Sequence, residues 1–434
     1  MSSADPRVDP TGPVFVSYRQ NDGTSTAVSL AWLLRAAGMP VWHDQTDLPP
    51  GDTSRRLAEA LARGLSGAIL SVTPDIVNSQ VVRTVELNPL LDMEKSSDFV
   101  LGVGNRVKGG NGKVDYTAPD RLLGKPAGTL SRLDQTSFLR RDGMVALVRK
   151  ILLHRCGRLA ANRPAVAAKT LSISVQSRAL PHANDRDTAD LSVRLRPSQA
   201  GRLPSQEGLK DLASTLPFLP EALSLTGANA VTIKGGAHLS VALALGAALP
   251  TTLIGQVDVI ATDGQTWTSG TVSRPVSPSP LTLIEGHGMG KMKPTGQRRQ
   301  VLSYVDLLPL RSDAAYTRLL EEHPGAFDAW QHLRPVSGEP LDPADADRLV
   351  TEIAGRLRDL SQTHDNADLH LLLRTPFPVA VLLGRLLNTL KIVAYEWSPA
   401  PDDAADARPQ FVPAAELRPT DRKGPITAVL IPRT

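Results

Sequence analysis

Two stretches of this chain repeat one another. Ala230-Val231-Thr232-Ile233 leads into GGAHLSVALALGAALP, and Leu369-His370-Leu371-Leu372-Leu373 leads into RTPFPVAVLLGRLLNTL. Setting Gly246 against Gly384 also sets Val241 against Val379 and Ala242 against Ala380. Each stretch reads as a short apolar strand, a turn and an apolar helix, and each is followed by a further strand, Ile254 to Ile260 and Ile392 to Trp397. A strand that returns to its own sheet through a helix runs parallel to the first strand. The pair therefore predicts two related α/β subdomains, each presenting strand carboxyl ends and a helix N-terminus.

The N-terminal third alternates in the same way. Val14 to Tyr18 is a short apolar strand, and a helix follows from about Ser25 to Ala37, with Leu30, Leu33 and Leu34 on one face and Gly38 as its stop. Pro40 to His43 is a second strand, Asp44 to Asp52 a polar loop, Arg55 to Gly64 a helix and Gly67 to Val72 a third strand. Asp98 to Val103 reads as a later strand and Gly143 to His154 as a closing helix. Short strands alternating with helices predict a parallel sheet with helices on both faces. Residues 104–135, rich in Gly, Lys, Asp and Pro, are expected to form a long surface loop. The resulting division is a first domain over 1–156, a linker over 157–168 and a second domain over 169–434, with subdomains at about 169–310 and 311–434.

Composition removes several classes. At 434 residues, two or three domains are expected, and 41% apolar with 21% charged residues is the balance of a soluble globular chain. No apolar run approaches the roughly 18–20 residues that a membrane span needs, and the first residues carry no secretory pattern. The single cysteine, Cys156, has no internal partner, and no Cys/His cluster suggests a metal, so a reducing cytoplasm is the expected setting. A net charge of +4 with only short basic runs, Arg140-Arg141 and Arg298-Arg299, argues against a duplex nucleic-acid binder. GHGMGKMK, Gly286 to Lys293, fails as an NTPase phosphate loop because Glu285 stands where glycine is required and Met292 where Ser or Thr is required.

In a parallel sheet, the loops at the carboxyl ends of the strands face one crevice. Arg19 after the first strand, Asp44 after the second and Glu86 in the helix after the third converge there. A carboxylate beside a ribose suits glycosidic cleavage, because it stabilises oxocarbenium-like charge as a leaving group departs. From spacing alone, a solvated Glu86, a water-facing Arg19 and turn-forming Asp44 and Asp47 account for the pattern equally well. In the second domain, Lys234-Gly235-Gly236-Ala237-His238 lies between strand and helix. There, glycines allow close backbone approach, and the helix N-terminus offers free N–H groups to a phosphate. Arg374-Thr375-Pro376 is the matching turn, and the two together would make a bipartite anion site. His238 is equally a capping or core residue, and Trp397, near the end of the last strand of the repeat, is placed either to stack a base or to pack.

The motifs VFVSYRQND, GMPVWHDQTDLPPGD and SVTPDIVNSQVVRTVEL resemble a TIR domain over about residues 12–104. The resemblance implies a flavodoxin-like parallel sheet and hydrolysis of NAD, as substrate rather than cofactor, to nicotinamide and an ADP-ribose-type product. It implies Glu86 as the catalytic residue, with Ser17, Tyr18, Arg19, Asp44 and Ser79 around the NAD. It further implies a mobile assembly loop containing Asp47, Leu48, Pro49, Pro50 and Gly51. Two departures stand out: Val82 and Arg83 occupy the place where the family often has a Trp, and the spacing from Ser79 to Glu86 is one residue longer than usual.

The remainder is similar to a SAVED domain on GGAHLSVALALGAALP, IGQVDVIATDGQTW and RTPFPVAVLLGRLLNTLKIVAYEW. That family has two fused Rossmann-like (CARF-like) modules and binds cyclic oligonucleotides. The resemblance implies a binding site at Lys234, Gly235, Gly236, His238, Arg374, Thr375, Pro376 and Trp397. Together the halves resemble a TIR–SAVED effector of CBASS antiphage defence. In that family a cyclic trinucleotide, made by a partner nucleotidyltransferase, drives head-to-tail assembly into filaments and switches on NAD cleavage; no membrane, metal or other cofactor is implied. The competing expectation is a non-enzymatic scaffold that self-associates when nucleotide binds.

Overall fold

Val14–Tyr18 (β1) is buried at every position, as a strand must be when helices cover both faces of its sheet. The computed structural model describes residues 7–42, 61–162, 170–178, 189–199, 201–269, 279–287, 298–336, 340–399 and 408–433. These form two compact units. The first comprises Met1–Ala168, Ala183–Arg194 and Glu221–Gly227, and the second Lys169–His182, Leu195–Pro220 and Ala228–Thr434. Among the described residues, no helix is long and apolar enough to cross a membrane.

In the first unit, β1 is followed by α1 (Gln20–Ala36), β2 (Val41–Trp42), β3 (Gly67–Val72), α2 (Leu87–Met93), β4 (Val100–Asn105), α3 (Ala118–Leu122), β5 (Gln135–Ser137) and α4 (Arg141–Asn162). The sheet runs β2-β1-β3-β4-β5 with every pairing parallel, the flavodoxin-like order. Leu30, Leu33 and Leu34 of α1 are fully buried. The helix ends as its sequence predicts. Gly38 takes φ +89°, and the amides of Gly38 and Met39 donate to the carbonyls of Arg35 and Leu34, closing a Schellman motif.

Two expectations change here. The stretch 104–135 contains α3, and Ala118, Leu123 and Leu130 are buried in a core cluster with Leu70 and Val72. The Asp120 carboxylate fastens it by accepting from Leu130 N at 2.6 Å and Ser131 Oγ at 2.6 Å. The closing helix also extends to Asn162, with Leu159 buried, so the first part of the expected linker is helix. Of the expected helix Arg55 to Gly64, only its last residues are described, and Leu61 is buried there.

A short strand, β7 (Leu191–Arg194), follows β6 (Thr170–Gln176) in sequence, and then come α5 (Gln206–Thr215) and α6 (Leu219–Thr226). Next are β8 (Ala230–Gly236), α7 (Leu239–Ala247), β9 (Gln256–Ile260), β10 (Thr266–Ser269), β11 (Leu281–His287) and β12 (Gln300–Asp306). The chain ends with α8 (Ala314–Glu322), β13 (Ala329–Pro335), α9 (Ala346–Thr363), β14 (Asp368–Arg374), α10 (Phe377–Gly384), β15 (Ile392–Ser398), β16 (Gln410–Leu417) and β17 (Ile426–Val429).

The second unit holds two parallel-cored sheets. In one, β6, β8 and β9 are parallel neighbours and β10 adds antiparallel to β9. The other runs β11-β13-β12-β14-β15-β16-β17, parallel through its central four strands and antiparallel at both margins. Because β11 and β12 belong to the second sheet, that subdomain begins before Leu281 rather than near residue 311. The strand β12 carries no helix signature of its own repeat, so the sequence repeat alone places the boundary too late.

The repeat itself is preserved residue for residue. β8 and α7 begin at Ala230 and Leu239, and β14 and α10 at Asp368 and Phe377, the same offset that sets Gly246 against Gly384. Both helices are apolar all round and buried nearly throughout, which suits helices packed in a core rather than at a surface. They pack on one another where those glycines lie. A Cβ on Gly246 would sit 1.9 Å from the Val381 carbonyl oxygen, and one on Gly384 would sit 2.2 Å from that of Leu243.

Candidate functional site

The two repeated turns open on one cavity of about 870 Å³ at the carboxyl ends of the central strands of both sheets. Backbone geometry builds them alike: His238, capping α7, has φ −57° and ψ 146°, and Pro376, capping α10, has φ −55° and ψ 145°. Gly235 takes φ +110°, and a Cβ there would meet the Val175 carbonyl oxygen at 2.3 Å, so only glycine fits. Lys234, Gly235, Gly236, Arg374, Thr375 and Trp397 all line the cavity. Trp397 is 40% exposed, an unusual state for so large an apolar surface.

His238 and Pro376 do not line it. His238 is buried, with Nδ1 2.7 Å from Ser177 Oγ, while its own amide donates to the same oxygen at 2.8 Å. Burial, with the Arg178 charge nearby, pushes its pKa down to about 4, so the ring is a neutral, buried partner of Ser177 rather than a cation. The expected free N–H groups at the start of α7 are also taken. Ser240 N donates to Glu396 Oε1 at 2.7 Å, and Glu396 is buried, with its pKa raised by that burial. Arg374 is likewise committed, donating to Asp306 Oδ1 at 2.7 Å and to the Leu310 carbonyl.

The two halves of the cavity also differ where the strand after each repeated helix ends. Ile233 pairs with Val259 in the first sheet, and its repeat equivalent Leu371 pairs with Ala394 in the second. Ala261 therefore stands where the second half has Glu396, and both residues line the cavity. Thr375, at the turn before α10, has a buried hydroxyl with no hydrogen-bond partner. Arg178 and Glu396 are lining residues that the motif reading passed over. Their place just beyond the carboxyl ends of parallel strands is a signal that could have found them.

In the first unit, Glu86 comes to Ser17 rather than to Ser79. Ser17 Oγ donates to Glu86 Oε2 at 2.5 Å, and both residues are buried. Between Ser79 and Glu86 the helix contains a π-helical turn over Val82–Glu86, which accommodates one more residue than an α-helical turn. Ser79 instead accepts from Val82 N at 3.4 Å, near the start of that turn. Tyr18, next to Ser17, points to the other face of the sheet and packs against Gly23 of α1. Arg19 pairs with Asp75 at 2.7 Å. Asp44 and the loop residues Asp47, Leu48, Pro49, Pro50 and Gly51 lie outside the described residues.

Asp306, Asp313 and His332 also come together, in a cluster that spacing did not reveal. Arg334 bridges both carboxylates, at 2.9 Å and 3.1 Å, and Arg374 takes the second oxygen of Asp306, so guanidinium groups already compensate that charge.

The model of the TIR domain family matches residues 14–103. That of the SMODS-associated and fused to various effectors sensor domain, SAVED, matches residues 323–417. The chain is a TIR–SAVED fusion. Among solved structures it is similar to the Acinetobacter baumannii Cap4 SAVED/CARF-domain receptor with the cyclic trinucleotide 2'3'3'-cAAA. That match has 13% identity, covers 92% of this chain and 99% of that one, and has a TM-score of 0.45. The Moraxella osloensis Cap4 receptor matches at 11% identity over 91% and 98%, with a TM-score of 0.39. A TIR-STING receptor from C. gigas in complex with 2',3'-cGAMP matches at 14% over 51% and 81%, with a TM-score of 0.25. No curated protein matches the chain.

Within the TIR–SAVED chain, the SAVED match spans α10 and its neighbours but not β8 and α7. β8 and α7, which precede that match, share its turn geometry and contact α10 at Gly246.

Proposed function

We propose that this TIR–SAVED chain is a defence effector in which a cyclic oligonucleotide, bound in the cavity between the repeated turns, switches on NAD hydrolysis at Glu86. A cyclic trinucleotide is the messenger we favour, supplied by a nucleotidyltransferase acting in the same cytoplasm. The observation that carries the catalytic reading is the buried hydrogen bond from Ser17 to Glu86, which holds one carboxylate at the carboxyl end of β1.

The chemistry follows from charge. Nicotinamide in NAD is a cation and leaves as a neutral base, so the bond between the ribose anomeric carbon and the ring nitrogen breaks without acid assistance. The Glu86 carboxylate balances the positive charge that develops on the ribose, and Ser17 fixes its orientation. Water adds at the anomeric carbon, releasing a proton and leaving ADP-ribose. Since Glu86 is only 8% exposed, substrate access requires rearrangement around it. Messenger-driven, head-to-tail assembly of the chain into filaments supplies this if the assembled state binds the messenger better than the free one.

Nicotinamide release measured with a panel of cyclic oligonucleotides tests the reading. Glu86→Gln is expected to lower the activated rate by at least about 100-fold while leaving messenger affinity unchanged. A full rate in the variant would overturn the catalytic assignment. Messenger-induced assembly without nicotinamide release, on the other hand, would favour a non-enzymatic scaffold, a reading that the burial of Glu86 keeps open.

A further inference from the structure

A second cleft in the first unit, of about 570 Å³, is lined by Asp22, Thr73, Arg106, Lys108, Gly112 and Arg140 among others. It lies at the carboxyl ends of β3, β4 and β5, beside the N-terminal turn of α1. Thr73 Oγ1 donates to Asp22 Oδ1 at 2.8 Å, and Arg106 donates to Thr26 Oγ1 at 2.8 Å, so the cleft opens on the α1 face of the sheet. Tyr18 packs on that same face, so its chain neighbour Ser17, and Glu86 with it, belong to the opposite one. The cleft is therefore distinct from the Ser17–Glu86 site.

Its charge is one-sided. Asp22 is its single lining carboxylate, already satisfied by Thr73 and by the amide of Asp75 at 3.3 Å. Against it stand three cations. Arg106 is held in place by Thr26, while Lys108 and Arg140 are exposed and form no ion pair among the described residues. Lys108 begins the hairpin Lys108-Gly109-Gly110-Asn111-Gly112-Lys113, a glycine-rich turn flanked by lysines. The turn is closed by Gly109 N to Lys113 O at 2.8 Å and Gly112 N to Gly109 O at 3.0 Å. A glycine turn with free cations over a cleft at strand carboxyl ends is how α/β sheets hold phosphate.

We propose that this cleft binds a phosphate-bearing ligand, with Arg106 as the fixed cation and Lys108 and Arg140 closing on the anion from the rim. Asp22 is the orienting group, holding Thr73 at the inner wall. The phosphate comes either from one end of a dinucleotide or from an independent nucleotide or inorganic source, and the same chemistry serves both.

Calorimetric titration of the full chain with inorganic pyrophosphate tests this, using Lys108→Ala/Arg140→Ala beside Lys95→Ala, an exposed lysine elsewhere. Saturable binding is expected, weakened about tenfold or more in the double variant and unchanged in the control. The exposed positions make folding a minor concern, and an unchanged melting temperature checks it. Absence of saturable binding, or equal affinity in the double variant, overturns the proposal. Displacement of pyrophosphate by excess NAD assigns the phosphate to the dinucleotide, and coexistence assigns it to a separate ligand; either result follows a confirmed site. Glu86→Gln is expected to bind pyrophosphate normally, so failure of the NAD-cleavage reading and failure of this one are separately visible.

Discussion

A Cβ built on Gly246 would stand 3.1 Å from the Cα of Gly384, so the two repeated helices touch backbone to backbone at their equivalent residues. The contacts are reciprocal. Gly246 faces Val381 and Gly384 faces Leu243, and these partners are themselves repeat equivalents, so the helix pair has an approximate two-fold axis.

Alanine at either glycine is therefore expected to push the helices apart and lower stability by about 3 kcal/mol, as overpacking in a closed core does. Gly355 in α9 faces open space where alanine would place its methyl group, and Gly355→Ala is expected to stabilise by about 0.5–1 kcal/mol. Urea unfolding of the three variants measures both signs.

Acid sensitivity should trace to His238. Its folded pKa of about 4 lies below the ordinary value of 6.5, so the unfolded chain takes up the proton first as pH falls. The stability held by the neutral ring is complete above pH 6.5 and is lost as pH falls toward 4, a loss on the order of 3 kcal/mol. His238→Gln is expected to flatten the melting-temperature profile across that window, and a profile parallel to the wild type would refute the assignment.

Glu396 should act in the opposite sense. Burial raises its pKa, so the folded chain favours the protonated acid, and that contribution is present at low pH and lost as pH rises through the raised value. Gln at 396 keeps an acceptor for Ser240 N without the charge. We expect Glu396→Gln to gain in melting temperature over the wild type as pH rises from 5 to 8.

Much of the architecture was legible in the chain because periodicity is local: β1, the Gly38 stop of α1 and both repeated units fall where apolar spacing and glycine predict them, whereas α1 starts at Gln20 rather than near Ser25 because its polar first turn carries no apolar spacing. What was not legible depends on distant partners. Ser17 meets Glu86 across 69 residues, Arg374 meets Asp306 across 68, and Glu396 reaches Ser240 across 156, and no spacing rule encodes such pairs. The π-turn was hidden for another reason. A widened turn shifts the phase of the residues after it, so regular helical spacing does not predict it; here Val82 within it and Leu87 after it are both buried.

Deletion of exposed Thr84 tests that account. The widened turn is expected to relax to an ordinary α-helical one, since buried Leu87 and Leu90 hold the phase downstream. Circular dichroism and melting temperature are expected to stay at or above wild-type values, and a marked loss of stability would show that the turn does more than absorb a residue.

The mismatch between Glu396 and Ala261 bears on how a ring is read. On the proposed reading, a cyclic ligand of identical units has no unit that differs from the others, yet one lying across this cavity would face an acid on one wall and a methyl group on the other. The asymmetry of the walls would then give each unit of the ring a distinct neighbour by position alone.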